Sequence, residues 1–339
     1  MEGYWAGIDL HSNNSVLCVL DRDGRIRYRR KLPNDLFAIV HALDSYREHL
    51  NGVAVESTYN WYWLADGLSD AGFRVLLANP AAMQQYDGLK FTNDESDAAW
   101  IANMLRLGCL PQGYIYPREQ RQVRDLLRKR SQLVRQRTAN ILSIQNLSAR
   151  NKGSSMRGDV VKHLTDERIA ELFPDRLHAM AATANLHLVR ALEEEIAKLE
   201  CQIAGMLQPS REYTLLRDVA GIGKILAMTI LLESGDIGRF ASVGNYASYC
   251  RCVESKHTSN AKTKGHGNQK CGNKYLAWAF TEAANFAVRY HEPVQRFYHR
   301  KQAKRNKVVA IKAVAHKLAR ACYWVLKTGL PFDMKRAFG

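Results

Sequence analysis

The chain has 339 residues, 46% hydrophobic and 24% charged, with a net charge of +16, which is enough for two or three domains with real cores. No apolar run approaches the roughly 20 residues of a membrane span, and MEGYWAGIDL lacks the basic stretch and long apolar core of a signal peptide. Seven cysteines at irregular spacing do not make a disulfide framework, so a reducing cytoplasm is expected.

Tyr4–Leu10 and Ser15–Asp21 are strand-like and are joined by the polar turn His11-Ser12-Asn13-Asn14. Asp21-Arg22-Asp23-Gly24 turns the chain into a third strand, Arg25–Leu32, giving an antiparallel meander. Leu36, Ile39, Val40, Leu43 and Tyr46 carry helical spacing across Asp35–Leu50. Val53–Val55 is a short apolar strand ending at Glu56, Trp61–Ala71 a helix with Trp61 and Trp63 in the core, Arg74–Ala78 a strand closed by Asn79-Pro80, and Asp97–Leu107 a helix. This βββαβαβα order over residues 1–113 is that of an α/β RNase H-like fold.

Residues 114–213 read as helical. Val123, Leu126, Leu127, Leu133, Val134, Ile141, Leu142 and Ile144 stripe a basic helix, and Lys152–Asp159 is a loop. Leu188, Leu192, Ile196, Leu199, Ile203 and Leu207 form a seam about three heptads long. That seam fits either a hairpin within the chain or a coiled coil between subunits. Residues 214–326 form a mainly helical third domain, and 327–339 a tail. In it Gly221-Ile222-Gly223 separates two helical stretches, as in a helix-hairpin-helix, whose turn can offer backbone N–H groups to a phosphate. Arg251–Asn273 is a loop or ribbon, and Lys274–Tyr290 and Val308–Leu326 are helices.

Charge is unevenly placed. Residues 1–113 carry 10 basic and 14 acidic side chains, and 161–250 carry 9 and 12; residues 114–160 carry 11 and 3, and 251–339 carry 19 and 4. Two basic blocks on an otherwise slightly acidic chain are the footprint of a polyanion partner. The cations and aromatics of Arg289–Lys307 suit phosphate contact and base stacking. Cys250, Cys252, Cys271, His257 and His266 lack the paired spacing of a zinc site.

Four acids stand out in residues 1–113. Asp9 sits between Ile8 and Leu10 inside a strand, where a charge is costly unless paired or bound to metal. Glu56 ends the fourth strand, the neighbour of the first in an RNase H-like sheet. Asp94 and Asp97, three apart, share a helical face. Singly, Asp94 and Asp97 have ordinary readings as a helix cap and a dipole partner, and Glu56 as a loop cap. Together they suit two Mg2+ ions about 4 Å apart, with Mn2+ as a substitute, in phosphoryl transfer.

Asp9 in GIDLHSNNSV, Glu56 in AVEST and Asp94 with Asp97 in TNDESDAAWIA resemble the DEDD site of the insertion-sequence transposases with a RuvC-like N-terminal domain, the bridge-RNA-guided recombinases. Lys90 is shifted relative to the family's usual basic residue; the D-x-x-D spacing is intact. The resemblance continues through VAGIGKILAMTILLESGDIGRFASVGNYASYC and CVESKHTSNAKTKGHGNQKCGNKYLAWAFTEAA, and runs from Gly7 to about Leu326. It implies a C-terminal serine nucleophile, which the S-N-x-K…GN…GNKYL pattern places at Ser259 rather than Ser255 or Thr258.

What the resemblance implies is a transposase that cuts and rejoins donor and target double-stranded DNA, guided by a structured RNA, as a homodimer or homotetramer. It would work in the cytoplasm, at the nucleoid when active. Gly221, Gly223, Lys224, Lys256, Lys262, Lys264, Lys270 and Lys274 are the expected nucleic-acid contacts. The alternatives are a RuvC-like endonuclease that uses water and leaves Ser259 idle, and a nucleic-acid-binding protein without catalysis, against which the four retained acids speak.

Overall fold

The structure, a computed structural model, describes residues 3–83, 94–206, 210–253, 256–259, 262–266 and 271–339; for 94–96, 256–259 and 262–266 it describes the backbone. Within it the chain forms two compact units, Met1–Tyr116 and Pro117–Gly339.

The first unit is built on a mixed sheet. Strands β1 (Tyr4–Leu10), β2 (Asn14–Leu20) and β3 (Ile26–Pro33) form the expected meander. Helix α1 covers Leu36–Asp44, shorter than the spacing predicts. Asp35 caps it by accepting from the Ala38 N–H, and a 3-10 turn at Arg47–His49 follows. Leu50, expected in the helix, instead opens the central strand β4 (Leu50–Glu56) opposite Tyr4, because pairing with β1 satisfies its backbone. Helix α2 (Tyr62–Asp70), β5 (Val75–Ala78), the short α3 (Pro80–Met83), α4 (Asp94–Arg106) and a two-residue β6 (Gln112–Gly113) complete the unit. The order is β3-β2-β1-β4-β5-β6, with β4 parallel to β1 and to β5, consistent with an RNase H-like domain. Ala6, Ile8, Leu10, Val53 and Val55 face the core beneath α1 and α2, with Trp61 buried among them. Alternation turns Gly7, Asp9, Ala54 and Glu56 to the other face, which α4 covers.

The second unit is helical. Helix α5 (Arg118–Lys152) ends at Gly153, whose φ of 72° lets it close the last turn. Helices α6 (Gly158–Lys162) and α7 (Asp166–Leu172) lead to α8 (Arg176–Met206). Helix α8 packs against α5 of the same chain, so the hairpin reading describes the fold. The buried stripe on α8 runs through Ala182, Leu186, Val189, Ile196 and Ile203. Leu188, expected in the seam, is 53% exposed, and Leu142 on α5 also faces outward. A helix has room for one apolar face, and Val189 takes the place next to Leu186.

Helices α9 (Arg211–Arg217), α10 (Lys224–Ser234) and α11 (Val243–Tyr249) precede a two-stranded ribbon, β7 (Lys256–Ser259) and β8 (Lys262–His266). Helices α12 (Lys274–Tyr290), α13 (Glu292–Gln302) and α14 (Lys307–Thr328) surround a core rich in alanine, from Ala279, Ala283 and Ala287 to Ala315 and Ala319. The stretch set apart as a tail contains α15 (Met334–Phe338), and Phe338 is buried in this core. Cys250 and Cys252 are buried there too; burial pushes the Cys252 thiol up to about 11 and Cys250 well above its ordinary value. Among the described residues no helix is long and apolar enough to cross a membrane.

Candidate active site

The acids of the first unit are set by strand register. Ile8 on β1 pairs with Val55 on β4, and the next step along both parallel strands brings Asp9 and Glu56 side by side on the α4 face. Asp9 is 3% exposed, and Glu56 is half-buried at the strand end, opposite Ala78 of β5.

Gly7, two residues before Asp9, decides how near α4 can come. A Cβ at Gly7 would lie 2.3 Å from the Ala98 carbonyl oxygen and 2.5 Å from the Ala102 nitrogen. Its strand neighbours under the helix are small as well: Cys18 on β2 and Ala54 on β4. The helix therefore lies directly on β1, and Asp97, half-buried one residue before Ala98, stands on the face that carries Asp9 and Glu56. Asp94 is the first residue of the same helix; its side chain lies outside the described residues.

Three side chains that the sequence reading did not single out frame these acids. His11 places Nε2 3.4 Å from the Asp9 carboxylate. Asn60 donates to the His11 carbonyl at 3.1 Å, and Asn34 donates to the same oxygen at 3.0 Å. Asn60 also accepts from Thr58 at 2.8 Å, and Asn34 from Ser15 at 2.6 Å. The turn after Asp9 is thus latched to the loop after Glu56 and to the end of β3. Asparagines just beyond β3 and β4 were the available signal, a weak one because Asn is a common local turn former.

The donor set fits a hard divalent cation, since it offers carboxylate oxygens, one of them buried, on one face. Among the described residues no three His, Cys, Asp or Glu side chains already stand as a closed metal-holding group.

In the second unit Gly221 and Gly223 differ. Gly221 has φ +77°, and a Cβ there would meet the Ala283 carbonyl oxygen at 2.2 Å and the Ala287 nitrogen at 2.7 Å, so it serves the packing of the hairpin turn on α12. Gly223 is the N-cap of α10, with nothing within 4 Å of the position its Cβ would take. Lys224 opens the helix and is exposed. A groove of about 570 Å³ runs along this turn, bounded on its far side by Phe286, Tyr290 and His291. Phe286 and Tyr290 are both exposed, and their rings stack with centroids 6.5 Å apart.

Ser259 is the last residue of β7 and pairs with Lys262, at the turn end of the ribbon. Lys256 lies in β7 and Lys262 and Lys264 in β8; Ser255 and Lys270 lie outside the described residues. Lys274 is exposed at the first turn of α12.

Comparison with known proteins agrees with both halves. Residues 6–147 match the DEDD transposase domain of IS110 type, described as a transposase, and residues 213–299 match the "Transposase IS116/IS110/IS902 family". A probable family 20 transposase of Pseudomonas aeruginosa is 26% identical over 242 residues, covering 70% of this chain and 71% of its own. The transposase for insertion sequence element IS1111A of Coxiella burnetii is 23% identical over 297 residues, 84% of this chain and 78% of its own. A putative transposase of Sinorhizobium fredii is 22% identical over 291 residues, 83% and 70% of the two chains. The protein is a transposase, an enzyme that recombines DNA. With the two domain matches in this order, the chain belongs to the IS110 family of insertion-sequence transposases.

Proposed function

We propose that this transposase moves its element by a covalent serine route, with Asp9, Glu56, Asp94 and Asp97 as divalent-metal ligands and Ser259 as the nucleophile. The observation that carries the reading is the register of β1 and β4, which sets Asp9 beside Glu56 on the face that α4 covers. Carboxylates so placed repel one another unless a cation intervenes. When bound, Mg2+ (or Mn2+) would supply activation of the attacking oxygen and stabilisation of the leaving one.

The chain's own residues do the rest. The Ser259 hydroxyl attacks a DNA phosphorus and gives up its proton; the Oγ–P bond forms, the P–O bond to the leaving strand breaks, and the leaving sugar oxygen takes up a proton. Attack by a hydroxyl of the other strand then reverses the exchange and frees the serine. A serine hydroxyl is a weak nucleophile until it is activated. The lysines of the ribbon, Lys256, Lys262 and Lys264, with Lys270 and Lys274 beyond it, hold the phosphodiester. Gly223 and Lys224 at the start of α10 hold a second stretch of backbone. Asp9, shielded from solvent, and His11 beside it fix where the acids present their oxygens.

The same reading gives the basic helix α5 to a structured guide RNA that pairs with donor and target DNA. It makes the working form a homodimer or homotetramer, since two duplexes are exchanged.

The test is a trapping assay with Mg2+, the element's flanking RNA and its end DNA, denatured and separated on a gel. A DNA-linked protein band is expected for the wild type and is lost in Ser259→Ala and in Asp9→Asn. Cutting without an adduct, undiminished in Ser259→Ala, means a nuclease that uses water instead. Omitting the RNA tests guidance in the same gel.

A further inference from the structure

Glu233 of α10 is 1% exposed, the most deeply buried acid among the described residues. It holds Arg128 of α5 through two bonds, Nε to Oε1 at 2.6 Å and Nη2 to Oε2 at 2.8 Å. Its Oε2 also accepts from the Asn273 side-chain amide at 2.7 Å. The same Asn273 caps α12: its Oδ1 accepts from the Tyr275 and Leu276 N–H groups at 2.8 and 3.1 Å. The Arg128 guanidinium lies 4.6 Å from the centre of the Tyr275 ring. Three helices thus meet at one carboxylate.

Asn273 is also where the chain returns from the ribbon. The two ends of the segment between Val253 and Cys271 are clamped together at this point. The Asn273 N–H donates to the Tyr249 carbonyl at 2.6 Å. Arg251 donates to the Gly272 carbonyl from Nε and Nη2 at 3.2 and 3.0 Å. Gly272, at φ +86°, lies so near that a Cβ would stand 2.6 Å from the Tyr249 carbonyl oxygen. Arg251 itself has φ +54°, the one positive φ outside glycine among the described residues.

An ion pair of this kind, with Glu233 buried and Arg128 half-buried, is weak as a source of stability, because desolvating the carboxylate offsets most of the attraction. What it does well is fix geometry, since a bidentate guanidinium–carboxylate pair tolerates one arrangement. A non-glycine residue in the left-handed region persists only where its surroundings over-determine it, and such residues gather at functional sites. Here the strain and the buried charge converge on the neck of one short ribbon.

We propose that Asn273, held by Glu233, which Arg128 pairs, is a positioning residue for the strand-exchange reaction: it fixes the neck from which the Ser259-bearing ribbon leaves the helical core. The proposal rests on the reading of Ser259 as the nucleophile. Arg128 belongs to the long basic helix, so the neck is also tied to the element that carries the unit's other large cationic surface.

The test uses the full chain with its end DNA and flanking RNA. Asn273→Asp keeps the oxygen that caps α12 but sets a carboxylate against Glu233. The double variant Asn273→Asp/Glu233→Gln removes that repulsion and leaves a single carboxylate beside the Arg128 guanidinium, with the bidentate pairing at position 233 lost. Three quantities are read: the adduct-forming rate at saturating DNA, the DNA concentration at half-saturation, and the rate at which trypsin cuts after Lys256, Lys262 and Lys264. For Asn273→Asp the saturated rate is expected to fall at least tenfold with half-saturation within twofold of wild type, while ribbon cutting speeds up. The double variant is expected to regain part of both, because the repulsion between the two carboxylates is gone while one bond to Arg128 is lost.

Unchanged rate and unchanged cutting in Asn273→Asp overturn the proposal. So does a loss of rate matched by a loss of DNA binding and of the cooperative melting transition, because that is general unfolding. Should the wild type give no Ser259-dependent adduct, the nucleophile reading fails. The tryptic pattern of the two variants then decides the clamp by itself.

Discussion

Gly7 of β1 lies against Ala98 of α4 so closely that a Cβ would sit 2.3 Å from the alanine's carbonyl oxygen. The contact is between two backbones, so no side chain can give way. Gly7→Ala is therefore expected to push α4 off the sheet, with a loss of about 1–3 kcal/mol as in other overpacked cores. DNA cutting should fall further than that loss explains, because Asp97 moves with the helix. Urea unfolding measures the first effect, and end-DNA cutting at a temperature where the variant is fully folded measures the second.

Asp9 is a buried carboxylate among others. Without metal, Asp9→Asn removes a charge from a crowded, poorly solvated face, and its melting temperature in EDTA should equal or exceed that of the wild type. The wild type should gain stability as Mg2+ is titrated in, because the ion binds the folded state alone. The variant should lose most of that gain together with DNA cutting. A melting temperature that fell sharply in EDTA would show Asp9 to be a structural acid instead.

The two glycines of the hairpin turn separate packing from binding. Gly221→Ala meets both a φ of +77° and the α12 backbone at 2.2 Å, and should cost about 1–3 kcal/mol by overpacking. Gly223→Ala has open space and an ordinary φ of −87°, so its stability should fall only by about 0.5–1 kcal/mol, the difference between glycine and alanine at a helix N-cap. Any loss of DNA affinity in Gly223→Ala then reports the approach of a phosphate to the start of α10. Denaturant melts and a salt titration of DNA binding check the pair.

Burial of thiols sets an alkaline limit. Burial raises Cys18 and Cys252 from 9.0 to about 11 in the folded chain. An acid whose folded pKa lies above its unfolded value stabilises fully below the unfolded pKa, and that contribution fades as pH climbs toward the folded one. Stability should therefore fall between about pH 9 and 11, and replacing Cys18 by Ala should flatten that slope. In the native protein at pH 8 a thiol reagent should label the exposed Cys109, Cys201 and Cys271 first.

Much of the first unit was legible because its signals are local. Short apolar runs mark β1 and β2, the turn residues between them are polar, and an acid inside an apolar strand is conspicuous. The end of α1 was not legible: Tyr46 and Leu50 keep the helical spacing, yet Leu50 pairs with Tyr4, a residue 46 positions earlier. The latch of Asn34 and Asn60 on His11 was hidden for a similar reason, since its partners lie 23 and 49 positions apart.

The sequence by itself determined the order of strands and helices around the four acids, the glycine turn before Lys224, and the two cationic blocks. These follow from side-chain period, backbone freedom and composition, which each short stretch carries within itself. Only the tertiary structure decided that Val189 rather than Leu188 enters the α5–α8 hairpin, and that Gly221 serves packing. It alone decided that Arg128, Glu233 and Asn273 meet, over separations of 105 and 40 positions. A buried carboxylate has to find its donors wherever the fold brings them, and no local pattern in the chain records which ones arrive.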